Sequence, residues 1–556
     1  MKFIKMKSYN DFNSVEELME YYNIKPLNII LEKNDDINAS EELDDNNVNE
    51  PEKVIKSDEI EVTYSDINAT PTNIFKHIIV FTNDRDPKNN KTLKNIKDAI
   101  KSLKDAKCSI IPELHVFVAA EIDADEREEE IRITDGDEEF VIHDESNVDT
   151  LIFSRLGVQD EDQCEHIVQI LQDRGFLVLN PVKYSALACD KYQSAVLFEK
   201  GGIPQPNFCL MTKEILYDEK LYNEAMKDIY PQWDNKNKDK NEELTFVMKI
   251  LDGHGGTGVA MCDGKKIYAI LQMIFAIDPD RQILLQKKEE ADGGDIRVHV
   301  LTLRDKQIIL AAMKRVKLGG DFRSNVSLGA EAESVKLTPE QEQIALKTAQ
   351  LSKLPWCAVD IMPLVKGSNP DLGDNVVLEI NASPGTAGIS EVIGTNFVNV
   401  LLNELNDPSS FFLQEKIAGF IESVKINFGD GVVKDFLAKL DTGNSTKASC
   451  LEVGEYKEKG NKIMFTIDGK KMIFEKTGEV KAVAGDRVYT RPTIVIPELK
   501  LGVRKLKNVP ISIVKHRDNK TTNFLINRDV MSKLGYVVNP NSCHILTNEM
   551  EKVKII

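Results

Sequence analysis

The order of hydrophobic and polar residues divides this chain into regions with different periods. From His77 onward, the apolar run HIIVFTN is typical of a buried strand, and TLKNIKDAIKSLKDA has the spacing of an amphipathic helix. The same pair recurs in DTLIFSRLG and EDQCEHIVQILQDRG, and the short strand FLVLN follows. Because strands that alternate with helices favour a parallel sheet, we predict a small doubly wound α/β domain over residues 74–182.

An acidic segment interrupts this alternation. EREEEIRITDGDEEFVIHDES contains two strand-like runs on either side of Asp135-Gly136, a dipeptide that is typical of hairpin turns. We therefore predict a β-hairpin inserted into the α/β domain.

The two ends of the chain differ from its middle. Beyond residue 412, VKINFG, KIMFTIDG, PTIVIPELKLG and VPISIVKH are strand-like and are separated by Gly, Pro and Asp turns, which predicts an all-β domain over 412–556. Residues 183–411 mix strands and helices and predict an α+β domain. Residues 1–73 hold 17 acids and 7 bases, so we expect an acidic, partly flexible N-terminal extension.

Composition narrows the classes of partner. In 556 residues the formal net charge is −19, which argues against nonspecific nucleic-acid binding and against docking on an anionic membrane. The 8 cysteines occur singly, without the CxxC spacing of zinc or redox sites. No apolar run reaches the ~18 residues of a membrane helix. We expect a soluble, cytoplasmic protein with no nucleic-acid or membrane partner.

Two lysines and a glycine-rich segment lie in the middle region. Lys191 follows a predicted loop, and Lys249 lies on the strand LTFVMKI just before LDGHGGTGV at 251–259. Closely spaced glycines let backbone N–H groups surround an anion such as a triphosphate, and a lysine neutralises phosphates as a point charge. A surface lysine and an ordinary glycine turn are the alternative interpretations.

The next strand and turn, ILLQKKEEADGGDIRVHVL, have features of a nucleotide site. Backbone groups at 286–288 suit the edge of an adenine, and Glu289 or Asp295 suits the ribose hydroxyls. Arg297 and Arg315 lie on successive predicted strands, where alternation allows both side chains to face one cleft and hold a carboxylate or phosphate.

Three oxygen-bearing side chains lie on later apolar strands. Asp360 is in AVDIM, and Glu379 and Asn381 are two residues apart in VLEINASPG, so they point to the same face of a sheet. Acids on a buried strand are costly unless they are paired or bind a cation. Mg²⁺ that bridges carboxylates and nucleotide phosphates would satisfy them, although a structural salt bridge also explains Asp360.

These motifs in this order resemble the RimK-type branch of the ATP-grasp superfamily over about residues 75–405, most specifically in GDFRSN and EINASPG. The resemblance implies a pre-ATP-grasp α/β domain followed by an ATP-grasp fold, with ATP and Mg²⁺ (or Mn²⁺) as cofactors. It also implies a carboxylate–amine ligase that adds amino acids such as glutamate to a peptide or protein through an acylphosphate.

The resemblance carries a set of site residues with it. The nucleotide residues are Lys191, Lys249, Gly255, Gly256, Gly258, Gln286, Lys287, Lys288, Asp295 and Ser324; the metal ligands are Asp360, Glu379 and Asn381; the catalytic residues are Arg315, Arg323 and Asn325. The stretch from Gln286 to Asp295 is one residue shorter than in the family, and Leu328 stands where the family usually has Arg. These departures leave the amino acid and its acceptor open.

The C-terminal region carries a second resemblance. LDTGNSTKAS (440–449), RPTIVIPELKLG (491–502) and FLINRDVMSKLGYVVNP (524–540) resemble the retropepsin-like "ATP-dependent zinc protease" family. This implies a retropepsin-like barrel in which Asp441 is catalytic, although Asn444 and Asn527 replace the family's Ala and Gly. Because an aspartic peptidase needs two carboxylates that share a proton, a single Asp441 implies a homodimer.

The sequence leaves three functions open. The first is a peptide ligase fused to a domain that trims or recognises its product. The second is an aspartic peptidase in which the ATP-grasp part is regulatory. The third is an interaction protein whose acidic N-terminal extension binds a basic partner.

Overall fold

The computed structural model describes residues 60–84, 87–119, 122–127, 130–136, 138–156, 163–234, 240–251, 253, 258–316, 331–484, 487–515 and 522–546. All of them belong to one compact unit. The predicted N-terminal extension is therefore described only from Ile60, where Tyr64 forms a parallel bridge with Ile309. No helix among the described residues is both long and apolar enough to cross a membrane.

The first domain contains β1 (His77–Thr82), α1 (Lys91–Asp105), β2 (Glu113–Val118), β3 (Ile122–Glu126), β4 (Glu130–Asp135), β5 (Glu138–His143), β6 (Thr150–Arg155), α2 (Gln163–Asp173) and β7 (Leu177–Leu179). Strands β2-β1-β6-β7 form a parallel sheet. Ile78 faces α1 and Ile79 faces α2, because successive strand residues point to opposite faces. The doubly wound prediction is confirmed.

The acidic insertion forms an antiparallel sheet, β3-β4-β5. Its turn between β4 and β5 contains Asp135-Gly136, as predicted, and Gly136 has a positive φ of 60° that favours glycine.

The middle region contains α3 (Val182–Cys189), α4 (Lys191–Lys200), β8 (Phe208–Met211), α5 (Lys213–Tyr217), α6 (Glu219–Ile229), β9 (Thr245–Ile250), β10 (Val259–Asp263), α7 (Ile267–Ile277), β11 (Ile283–Lys287), β12 (Asp295–Thr302), β13 (Gln307–Val316), β14 (Glu331–Ser334), α8 (Pro339–Ser352), β15 (Trp356–Pro363), β16 (Asn375–Asn381), α9 (Ala387–Ile393) and α10 (Phe397–Glu404). Two antiparallel sheets result, β10-β9-β11-β8 and β14-β13-β12-β15-β16. The mixed α+β content of this region agrees with the prediction.

The C-terminal region contains β17 (Lys416–Asn427), β18 (Val433–Leu440), β19 (Ser449–Val453), β20 (Tyr456–Lys459), β21 (Lys462–Ile467), β22 (Lys470–Glu475), β23 (Gly478–Ala484), β24 (Arg487–Leu501), β25 (Arg504–Lys515), β26 (Phe524–Ile526), α11 (Arg528–Lys533) and β27 (Tyr536–Cys543). Eight of these strands form one sheet, in the order β23-β24-β25-β19-β26-β18-β17-β27. The strand-rich character matches the prediction, and the retropepsin-like resemblance stays a prediction.

The first domain meets the middle region at the carboxyl ends of its strands. Asn180, which follows β7, accepts a hydrogen bond from the Trp356 amide at 2.9 Å and donates to the Ala382 carbonyl at 2.5 Å. Arg155, at the end of β6, donates to the Pro384 carbonyl at 3.0 Å. These contacts hold the loop after β16 against the first domain.

Arg504 joins the β-rich region to the rest of the molecule. Its side chain is buried, and it donates to the carbonyls of Gln172 at 3.1 Å, Asp173 at 3.1 Å and Gln414 at 2.9 Å. It also donates to the Leu534 carbonyl within its own region at 2.6 Å. One guanidinium therefore links three segments of the chain through backbone acceptors.

Candidate active site

A cleft with about 650 Å³ of space, open to solvent, lies where the two middle sheets approach each other. Strands β9 and β11 contribute to one side, β16 to the other, and helices α3 and α4 close one end. Five residues predicted from the sequence line it: Lys191, Lys249, Gln286, Glu379 and Asn381. The fold thus brings together side chains that are far apart in the sequence.

Lys191 is positioned by the start of α4. The Asp190 side chain caps this helix, because it accepts hydrogen bonds from the amides of Tyr192 and Gln193, both at 2.9 Å. The Lys191 Nζ then donates to the carbonyls of Gly253 and, at 3.3 Å, Leu251. The ammonium group therefore lies against the beginning of the glycine-rich segment.

Lys249 projects from β9 into the same cleft and has no ion pair within 4.0 Å among the described residues. The pKa of Lys249 is lowered to about 8, mainly by burial; the negative Glu379 and Asp360 oppose this shift, and nearby Lys191 adds to it. A buried ammonium that lacks a close carboxylate is complementary to a phosphate group.

Gly258 ends the glycine-rich segment in a conformation that requires glycine. Its φ is +75°, and a Cβ built there would lie 2.2 Å from the Cδ1 of Ile250. Its carbonyl accepts a hydrogen bond from the Ile250 amide at 3.0 Å, which closes the turn onto β9. Gly255 and Gly256 lie outside the described residues.

Glu379 and Asn381 lie on one face of β16, as predicted, and both line the cleft. Burial and the negative charge of Asp360 raise the pKa of Glu379, so its ionised form lacks full compensation. The Asn381 Oδ1 accepts from the Ser383 amide at 2.9 Å and keeps a second lone pair. This pair of oxygen donors fits a hard divalent cation, whose charge would stabilise the ionised Glu379.

Behind these residues, four charged side chains form an ion-pair row across the sheet: Asp295, Arg297, Arg315 and Asp360. Strand register creates it, because Arg297 is paired with Asp360, and Asp295 with Arg315. Arg297 binds both Asp360 oxygens at 2.7 Å, and Arg315 binds both Asp295 oxygens at 2.7 and 2.6 Å. Arg315 also reaches Asp360 at 2.7 Å.

Within the ion-pair row, the cost of burying each charge is compensated by a neighbour of opposite charge. Burial alone would raise the pKa of Asp360, but Arg297 and Arg315 outweigh it and hold that pKa well below its ordinary value. Burial would likewise lower the pKa of Arg315, yet Asp360 and Asp295 raise it overall. Bidentate hydrogen bonds of this kind fix both partners in orientation.

The row changes three expectations from the sequence. Arg297 and Arg315 were expected to face a cleft and hold a substrate anion, but their guanidinium groups bind carboxylates of the protein. Asp295 and Asp360 are buried and are not among the described residues that line the cleft. Their ribose and metal roles remain predictions, and Asp360 would have to exchange hydrogen bonds from Arg297 for a metal bond.

Of the three residues predicted beside the adenine, Gln286, Lys287 and Lys288, only the first lines the cleft. Gln286 lines it, whereas the Lys287 Nζ lies 3.1 Å from Glu289, which also accepts from Asn369 at 3.0 Å. The Lys288 side chain is exposed. Strand alternation explains the division, since neighbouring residues point in opposite directions.

Some predicted residues lie elsewhere. Arg323, Ser324, Asn325 and Leu328 lie outside the described residues. Asp441 lies in the turn after β18, in the β-rich region, where its amide donates to the Ile526 carbonyl at 2.9 Å.

The cleft also has a wall that the sequence reasoning missed. Cys189, Ser194 and Phe198 from α3 and α4 line it, and so does Gln205, whose Nε2 donates to the Ala195 carbonyl at 2.7 Å. The Asp190 cap signals the start of a helix in the sequence. Nothing in the local pattern shows which face of that helix meets β16.

The cleft thus lies between two antiparallel sheets, with lysines on one side and oxygen donors on the other. Residues 188–405 match the family model described as the RimK-like ATP-grasp domain. Residues 188–405 are therefore similar to a RimK-like ATP-grasp domain, in agreement with the resemblance of the sequence motifs.

Similar proteins include bacterial ligases. A probable alpha-L-glutamate ligase of Stutzerimonas stutzeri (strain A1501) is 35% identical over 162 residues, which cover 29% of this chain and 50% of that protein. A probable alpha-L-glutamate ligase 2 of Pseudoalteromonas atlantica is 27% identical over 253 residues, 45% of this chain and 74% of that protein. The chain thus spans about half the length of the first of these relatives.

Among solved structures, the ATP-grasp ligase PsnB, complexed with a phosphomimetic variant of its minimal precursor, Mg and ADP, is 17% identical. The alignment covers 60% of this chain and 98% of that chain, with a TM-score of 0.40.

Proposed function

We propose that this chain is an ADP-forming carboxylate–amine ligase that adds an amino acid such as glutamate to a peptide or protein. The observation that supports this most is the cleft itself. Lys191 and Lys249 enter it from one side, and Glu379 and Asn381 from the other. Cationic groups for phosphates and oxygen donors for a cation are thereby placed around one cleft that is open to solvent.

The reaction proceeds in two displacements. A substrate carboxylate oxygen attacks the γ-phosphorus of ATP, the bond to the β–γ bridging oxygen breaks, and ADP leaves. The amine then attacks the carbonyl carbon of the acylphosphate. Phosphate leaves together with the oxygen that joined this carbon to the phosphorus, and the nitrogen loses a proton. No side-chain nucleophile is needed.

The protein contributes charge and position. Lys191 and Lys249 bind the transferring phosphates and stabilise the charge that develops during the first displacement. Glu379 and Asn381, with Asp360 as a predicted third ligand, would hold Mg²⁺ or Mn²⁺, which supplies charge neutralisation on the phosphate oxygens. Arg323 and Asn325 remain the predicted residues beside the acceptor.

The proposal is tested with purified protein, ATP, Mg²⁺, mixed amino acids and a set of peptides. We expect release of ADP and phosphate together with a peptide whose mass has grown by an amino-acid residue. Lys249→Ala should abolish both, and Lys200→Ala, at the exposed end of α4, should leave both unchanged. Failure to form any extended peptide, or equal activity of Lys249→Ala and the wild type, would contradict the proposal.

We also propose a second candidate function, an aspartic-type peptidase that acts as a homodimer. The observation that favours it is the exposed turn Asp441-Thr442-Gly443, which follows β18 where that strand runs parallel to β26. Asn527 braces this turn by donating to the Thr446 carbonyl at 2.7 Å.

This second function predicts a dimer in sedimentation experiments and peptide cleavage that Asp441→Asn eliminates. A monomeric protein that cleaves no peptide at acidic or neutral pH would rule it out. Ligase activity should persist in Asp441→Asn, so the two proposals fail separately.

A further inference from the structure

Two histidines and a glutamate meet at the amino ends of β1 and β2, the edge of the first sheet opposite its contact with the catalytic domain. His77 begins β1 and Glu113 begins β2, and the two are register partners in the parallel pair. His115 is two residues further along β2, so it points to the same face as Glu113. The strand register therefore places all three side chains at one corner.

The geometry of this corner is that of a chelate. The Glu113 Oε2 lies 3.8 Å from the His77 Nδ1 and 3.7 Å from the His115 Nε2. All three atoms lie within 4.8 Å of one another. These separations are too long for hydrogen bonds. They are close to the roughly 3.3 Å between ligands in a tetrahedral zinc site with bonds of about 2.0–2.1 Å.

The two imidazole nitrogens lack another partner. Neither the His77 Nδ1 nor the His115 Nε2 is exposed to solvent, and neither has a hydrogen-bond partner among the described residues. Buried polar atoms of native proteins are normally satisfied. Two such nitrogen atoms beside the same carboxylate oxygen are consistent with a metal cation that would be bound by all three atoms.

The surroundings allow entry and fix the ligands. Glu113 is 68% exposed, so an ion and a water molecule could reach the corner from its side. The His115 ring packs against Phe140, with ring centroids 4.1 Å apart, which restrains its orientation. One side of the site is thus rigid and the other is open.

We propose that His77, Glu113 and His115 bind a divalent transition-metal ion, with Zn²⁺ as the best match. Imidazole suits Zn²⁺, Cu²⁺ and Ni²⁺ rather than Mg²⁺. Three protein ligands leave the fourth tetrahedral position for water or for an external ligand. This site is distinct from the nucleotide cleft, whose ligands are oxygen atoms.

The test measures zinc binding by the full chain after removal of metal with a chelator. Competition with a chromophoric zinc chelator should reveal one tight site in the wild type. Glu113→Gln keeps the size of an exposed side chain, so the fold should persist, and we expect it to weaken that site more than about 10-fold, with His115→Gln weakening it further. Circular dichroism verifies that both variants remain folded.

His143→Gln is the matched control. His143 lies in the same domain, 3.5 Å from Glu130, but among the described residues it belongs to no cluster of three metal-ligating side chains. We expect it to bind zinc as tightly as the wild type. Cobalt provides a second readout, since four-coordinate Co²⁺ should give intense visible absorption that Glu113→Gln loses. The inference is overturned if the wild type has no tight zinc site, or if zinc binds equally to the wild type, Glu113→Gln and His115→Gln.

Discussion

Two groups of charges in the middle region, the ion-pair row and the charged residues of the cleft, have opposite surroundings. In the ion-pair row, each carboxylate and guanidinium is bonded at 2.6–2.7 Å to a partner of opposite sign, and all but the partly exposed Arg297 are buried. At the cleft, Lys249 has no ion pair among the described residues, and the nearest cation to Glu379 is Arg297 at 3.9 Å. Every charge of the row has a partner of opposite sign at hydrogen-bond distance, whereas Lys249 and Glu379 have none that close among the described residues.

The pKa shifts show the same contrast. In the row, the pKa of Asp360 falls and that of Arg315 rises, so both ionised forms are favoured. In the cleft, the pKa of Glu379 rises and that of Lys249 falls, so both ionised forms are disfavoured. Charges of the second kind, whose ionised forms are disfavoured, are those that a bound ligand of opposite charge would stabilise.

The largest expected effect is on stability in the row. Asp360→Asn would leave two buried arginines with the single carboxylate of Asp295, and we expect it to lower the free energy of unfolding by about 3–5 kcal/mol. Urea unfolding measures this. Asp468→Asn, at an exposed ion pair with Lys434, should leave stability almost unchanged. Equal losses in the two variants would show that the row is not structural.

The next effect is on catalysis at the cleft. Glu379→Gln should lower kcat of the proposed ligase by about 10²–10³-fold, because it removes a charge that acts on the transferring phosphates through the cation. Its stability should be unchanged or higher, since a carboxyl whose pKa is raised by folding destabilises the folded state when it is ionised at neutral pH. If the variant is both inactive and markedly less stable, Glu379 stabilises the fold in the same way as the ion-pair row.

A smaller effect tests the turn beside the cleft. Gly258→Ala combines a positive φ with a clash against Ile250, and we expect a loss of about 1–3 kcal/mol in stability and weaker ATP binding. Gly460→Ala is the control, because its φ of +60° is also positive but nothing lies within 4 Å of the added carbon. The difference in stability between the two variants measures the clash with Ile250. Equal stability would mean that the Ile250 side chain or β9 shifts without cost to make room for the added carbon.

The smallest effect is the pH dependence of nucleotide binding. Lys249 has a pKa of about 8, so it loses its charge as the pH rises through that value. We expect the Kd for ATP to rise about tenfold between pH 7 and pH 9, the equivalent of ~1.4 kcal/mol. Calorimetry of Lys249→Arg should give a flatter profile, because arginine keeps its charge. Identical profiles would remove Lys249 from the phosphate site.

The sequence predicted the parts of the site that depend on local pattern. Glu379 and Asn381 were expected to share a face because residues two apart on a strand must do so, and the structure agrees. The doubly wound sheet and the turn at Asp135-Gly136 followed from periodicity and turn chemistry in the same way.

What the sequence could not predict depends on register between strands. Arg315 and Asp295 are 20 residues apart, and only the pairing of β12 with β13 makes them partners. For that reason the sequence did not show that Arg315 binds Asp295 and Asp360, and the role of Arg315 toward substrate stays a prediction. The same holds for the corner formed by His77 and His115, since no single-strand pattern shows which neighbour a strand will have.

Arg504 has a consequence for how the junction tolerates change. Its acceptors at Gln172, Asp173 and Gln414 are main-chain carbonyls, which every amino acid possesses. Mutations in those codons therefore leave the acceptor atoms in place, whereas one altered codon at position 504 removes every donor at once. These hydrogen bonds therefore tolerate substitutions at the three acceptor positions but are lost when Arg504 is replaced.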